Sequence, residues 1–114
     1  MRDQGFANLG EIAGSATGRS GVIWALEGSG DLNVNLVRFE AGGGVWEHVN
    51  DEVDVLVVGV SGSGSVRVDG KEYPLSNGTV VFVPRGARRS TRAVSGGFAY
   101  LSVHRRRGPL QIGG

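Results

Sequence analysis

The chain reads as a series of short apolar runs, each stopped by glycine, proline or a small polar turn. Leu32, Val34 and Leu36 alternate with Asn33 and Asn35, the two-residue period of a strand with one apolar face. Gly21 to Glu27 is a shorter run closed by Gly28-Ser29-Gly30, and Gly42-Gly43-Gly44 breaks the chain after the alternating segment. Val53 to Val60 is almost entirely valine and leucine, which predicts a strand covered on both faces. Ser65 to Val68 and Lys71 to Leu75 flank Asp69-Gly70, and this predicts a hairpin because Asp-Gly tolerates the positive φ of a two-residue turn. Thr79 to Val83 stops at Pro84-Arg85-Gly86, and Arg88 to Val94 and Phe98 to Val103 complete the series. No segment carries a 3.6-residue apolar stripe. The expectation is an all-β sandwich or barrel over residues 21–105, with an irregular arm at 1–20 and a charged tail at 106–114.

Composition narrows the class. With 114 residues and 39% hydrophobic content, the chain is sized for one domain with one modest core. Its 21 glycines lack the three-residue period of collagen and read as turns and strand ends. The absence of cysteine excludes a disulfide framework and any thiolate site. No apolar stretch is long enough to span a membrane and the first residues lack the apolar centre of a signal peptide, so a cytoplasmic protein with no membrane partner is expected.

Net charge is +1 but segregated: residues 1–57 hold three basic and nine acidic residues, and residues 58–114 hold nine and two. In interleaved β-sheets this separation along the chain need not become a surface dipole. The arginines at 85, 88, 92 and 105–107 have no interleaved aromatics, so solvated strand faces are expected there and no nucleic-acid partner.

Two short patterns carry chemistry. His48, Glu52 and Gly59 are spaced H-x3-E-x6-G, and Gly78, Pro84 and Gly86 are spaced G-x5-P-x-G, with the Asp69-Gly70 hairpin between them. In this order and separation the chain resembles the small single-domain cupins over residues 32–103. The resemblance implies a double-stranded β-helix, or jelly-roll barrel, open at one end to a small pocket. In metal-bearing cupins two histidines two apart on one strand, a glutamate and a later histidine meet there and hold a transition metal. Here the first histidine position is Trp46, the second is His48, the glutamate is Glu52, and the last histidine falls on Arg89. Arginine stays protonated and cannot donate an electron pair, so no resident metal is expected; a bound one would have only His48 and Glu52 of the family set.

The resemblance therefore implies a metal-free mouth in which Arg89 pairs with Glu52 and takes a small anionic ligand, beside His48 and the flat wall of Trp46. Two alternatives stay open. One is a small enzyme, either a metal-dependent oxygenase or an isomerase or lyase with His48 and Glu52 as acid–base groups; the other is an interaction domain with a vestigial pocket. Asp54 shares strand parity with Glu52: it adds a second carboxylate to the pocket if the pleat continues, and points outward if a bulge or the strand end turns it. Leu101 and Val103 read as the core-facing set of the last strand, which sends His104 to the opposite, outer face. The excess of apolar residues in 53–60 calls for cover on the strand's outer face, and a homodimer packed sheet to sheet is expected.

Overall fold

A computed structural model describes residues 5–107. Nine strands follow one short helix, α1 (Leu9–Gly14): β1 (Gly21–Ala25), β2 (Leu32–Phe39), β3 (Gly44–Val49), β4 (Val55–Ser61), β5 (Ser63–Val68), β6 (Lys71–Ser76), β7 (Val80–Val83), β8 (Arg88–Ala93) and β9 (Phe98–Arg105). They form a five-stranded sheet in the order β1-β2-β9-β4-β7 and a four-stranded sheet in the order β3-β8-β5-β6. Every pairing is antiparallel. This is the double-sheet jelly roll that the pattern implies. Among the described residues no helix is long and apolar enough to cross a membrane.

The hairpin at Asp69-Gly70 forms with φ of 49° and 84°, both positive as a primed turn requires, and it closes the β5–β6 register at Val68 and Lys71. The main core lies between the sheets. Val55 and Val57 of β4, Val81 and Val83 of β7, and Phe98 and Tyr100 of β9 meet Val66, Leu75 and Ala93 of the other sheet. Gly59 is part of the same closure, since a Cβ there would overlap the Ser76 carbonyl of β6. Phe98 packs closely against Gly64 at one end of the sandwich, and the opposite end carries the loops at 50–54 and 84–87.

Two expectations change. The arm at 1–20 contains α1, because Asn8 caps Glu11 N–H at 3.1 Å and Leu9, Ile12 and Ala13 share one helical face. That face lies on the outside of the five-stranded sheet against Leu36 and Ala99, forming a second, smaller core. The outer face of the 53–60 run is covered only in part within the chain: Val55 and Val57 are buried inward and Val60 packs on the core under α1, whereas Leu56 is 44% exposed outward. The tail expected at 106–114 falls, beyond Arg107, outside the described residues.

The arm is fastened by one ionic cluster. Arg38 of β2 is buried, bonds Glu40 Oε1 at 2.9 Å and donates to the Arg19 carbonyl at 2.9 Å. Glu40 Oε1 also accepts from Gly18 N–H at 3.1 Å. The Arg38 guanidinium, by hydrogen bond and by charge, holds the Glu40 carboxyl below its ordinary value, with Gly18 and Gly97 N–H adding to it and desolvation opposing. A lowered carboxyl pKa stabilises the fold above its unfolded value of 4.5, and this contribution disappears as pH falls through the lower folded value. Glu40→Gln is therefore expected to lower Tm at pH 7, with the gap to the parent closing below about pH 4.5; calorimetry across pH 3–7 reads this, and a gap constant over that range would contradict it.

Candidate functional site

The end of the sandwich that carries the 50–54 and 84–87 loops is built from the last residues of β3 and β9 and the first residues of β2 and β8. Strand parity fixes which side chains face it. On β9, Phe98 and Tyr100 are buried in the main core, so Ser102 and His104 continue the same inner face towards this end. Their partners on β2 are Asn35 and Asn33. On β8, Ala93 is buried in the core, so Thr91 and Arg89 continue its face. Tyr100 forms the floor: burial raises its phenol to about 12, and a hydrogen bond with Thr91 across the sandwich acts in the opposite direction.

Arg89 is the most constrained charge at this end. It is only 7% exposed, its Nε donates to the Ala87 carbonyl at 3.1 Å and its Nη2 to the Pro84 carbonyl at 3.2 Å. Gly86, at φ 86°, shapes the loop that presents these carbonyls, and its N–H donates to Asn50 O at 2.8 Å. Among the described residues no carboxylate forms an ion pair with Arg89. Burial depresses its pKa, Arg107 adds repulsion, and Asp69 and Asp51 act in the other direction.

His48 stands opposite Arg89 across the β3–β8 pair, on the same face. Its Nδ1 lies 2.9 Å from the Trp46 carbonyl. A carbonyl only accepts, so this contact places a proton on Nδ1 and leaves Nε2 as the outward nitrogen. His104 makes the same kind of contact, with Nδ1 2.8 Å from the Arg105 carbonyl.

The expected site is therefore only partly assembled. Trp46 leaves it: between Val45 and His48 the register of β3 shifts against β8, so three steps on β3 match two on β8. That bulge breaks the alternation that would put Trp46 and His48 on one face, and Trp46 is 89% exposed. The Glu52–Arg89 pair does not form. Val53, 1% exposed, takes the inward position ahead of β4, leaving Glu52 and Asp54 exposed on either side. Glu52 is held by its backbone, with its N–H donating to Asn50 Oδ1 at 2.8 Å and its carbonyl accepting from Arg105 Nη2 at 2.9 Å. Asp54 Oδ1 accepts from Arg85 N–H at 2.8 Å and so braces the 84–87 loop instead of adding a carboxylate to the mouth.

His104 is corrected in the opposite sense. Leu101 and Val103 face the outer side of the sheet, where Leu101 packs on the α1 core, and this sends His104 inward. Asn33 and Asn35 were legible as an alternating polar set, but polarity suggested solvent and not the mouth. A separate cleft of about 490 Å³ lies on the outer face of the four-stranded sheet, lined by Gly44, Trp46, Ser65, Arg67, Ser90 and Arg92 among others. It does not coincide with the mouth.

The two sheets define a small jelly-roll barrel with inward polar residues at one end. A profile of the Cupin domain family matches residues 35–104, and the chain belongs to the cupin family. No curated protein matches. Among solved structures, KdgF from Halomonas sp. is 20% identical with a TM-score of 0.69, covering 75% of this chain and 77% of that one. TT1209 from Thermus thermophilus is 21% identical with a TM-score of 0.67, over 91% of this chain and 98% of that one. A predicted oxalate decarboxylase from Thermotoga maritima is 20% identical with a TM-score of 0.61, over 64% of each chain. At these identities the likeness shows the fold alone.

The donor set does not fit the transition metal that cupins can carry. Among the described residues no three His, Cys, Asp or Glu side chains converge. A protonated guanidinium faces His48, and a valine occupies the inward position beside Glu52. Elemental analysis of protein prepared without chelator or metal-affinity tag is expected to find transition metal far below one per chain; a value near one would overturn this assignment.

Proposed function

We propose that the barrel mouth binds a small anionic metabolite without a resident metal, with Arg89 as the anchor and His48 beside it. The observation that carries this reading is the burial of a guanidinium whose bonded partners are two neutral carbonyls. A charge taken out of water without a directly bonded counter-charge is destabilising, and a bound carboxylate or phosphate would supply that partner. His48 is exposed but stands in register with Arg89; Trp46 is left out because the β3 bulge takes it off that face, and Glu52 because it forms no ion pair with Arg89 among the described residues. An acid–base role for His48 with Glu52 has less support, since the two side chains share no hydrogen bond or ion pair among the described residues.

The test uses inorganic phosphate and succinate as probes. Both are expected to raise the Tm of the parent and to leave Arg89→Met unchanged. Arg89→Met without ligand is expected to be at least as stable as the parent, since it removes a buried charge that has no direct ion pair among the described residues while keeping an unbranched side chain. A marked loss of stability in Arg89→Met, with no anion shifting the parent, would show that the arginine only braces the 84–87 loop.

The second part of the reading is a homodimer. The registers place Val34, Val103, Leu56 and Phe82 in one row across the outside of the five-stranded sheet, with Val58 and Val80 in the next. Leu56 is 44% and Phe82 55% exposed, and a contiguous apolar strip of this kind favours a self-complementary partner. Light scattering at micromolar concentration is expected to give twice the 11.9 kDa chain mass, and Phe82→Glu to give the monomer. A parent that scatters as a monomer contradicts the proposal.

A further inference from the structure

The mouth has a second wall, and its chemistry differs from that of Arg89. Asn33, Asn35, Ser102 and His104 occupy successive inward positions on two neighbouring strands of the five-stranded sheet, all half-buried. Asn35 Nδ2 donates to Asn33 Oδ1 at 3.2 Å, which orients the two amides, and the Asn35 side-chain oxygen has no hydrogen bond among the described residues. His104 Nδ1 is committed to the Arg105 carbonyl, just as His48 Nδ1 is committed to that of Trp46. In the neutral ring Nε2 is then a hydrogen-bond acceptor. The chain has two histidines, and parity brings both to the same end of the sandwich, one on each sheet.

Acceptors lining a half-buried mouth call for donors on the ligand. Those donors cannot comfortably be ammonium groups. Arg89 lies at this end, Arg105 reaches the Glu52 carbonyl beside it, and Arg107 is near enough to repel the Arg89 charge. Hydroxyl groups donate without adding positive charge. Resting on the anion-binding reading above, we infer that this wall, with His104 and Asn35 as its acceptors and His48 at the same end of the other sheet, selects a hydroxylated carboxylate over its deoxy counterpart. The carboxylate goes to Arg89, and the hydroxyl, acting as donor, goes to an imidazole Nε2 or to the Asn35 carbonyl oxygen. His104 and Asn35 are in this sense specificity-determining residues, and the reading involves no bond-making step.

Malate and succinate differ by one hydroxyl and carry the same charge, so calorimetric titration of both at matched ionic strength isolates it. Malate is expected to bind the full chain about tenfold more tightly than succinate, the size of one well-made hydrogen bond. His104→Phe is expected to reduce that preference to near unity. His104→Gln, whose side-chain carbonyl still accepts, is expected to keep part of it; Asn35→Leu is a second route to the same loss should His104→Phe fold poorly. Equal binding of malate and succinate by the parent would overturn this inference and leave the Arg89 reading standing. A preference that survives in both His104→Phe and Asn35→Leu would overturn it too. Binding of neither ligand would overturn both.

Discussion

Strand β9 is the constraint on which the rest of the structure depends. It lies third in the five-stranded sheet, paired with β2 over its full length and with β4 on its other side. Phe98 and Tyr100 point into the main core, and Ala99 and Leu101 point outward to the core under α1. One strand therefore fixes the spacing of the two sheets, seats the helix and, by the same alternation, delivers Ser102 and His104 to the mouth. A slip of one residue in its pairing would exchange all of these roles at once.

That double duty explains how much of the fold was legible. Alternation in 32–37, the Asp69-Gly70 turn and the glycine-proline punctuation are local signals, and the strands lie close to where they predict. The helix was not legible because its apolar set, Leu9, Ile12 and Ala13, is too short for a periodic stripe to emerge. β3 was also hard to read, as Gly44–Val49 has no apolar alternation and every residue in it is exposed.

The site was less legible than the fold, for physical reasons tied to particular residues. Arg89 and His48 were found because a motif marked them, and the register sets them opposite one another. Trp46 and Glu52 were misplaced because motif spacing assumes an unbroken pleat, whereas β3 bulges and the inward position ahead of β4 belongs to Val53. His104 was sent to the wrong side because a strand with apolar residues on both faces offers no sequence signal for which face is the interior. Asn33 and Asn35 were visible but read as solvated; a barrel that is polar at one end inverts the usual link between polarity and exposure.

The bulge in β3 has a further consequence for how the molecule meets others of its kind. β3 is an edge strand, so one row of its N–H and C=O groups has no neighbour in the sheet, and Val49 and Trp46 beside it are exposed. A flat edge of that composition is a template for adding a foreign strand. Displacing one residue out of the ladder interrupts the row and increases its twist, so an incoming chain could match only a few groups before losing register. The irregularity that removes the indole from the mouth thus also makes this border of the sheet a poor starting point for fibre-like stacking.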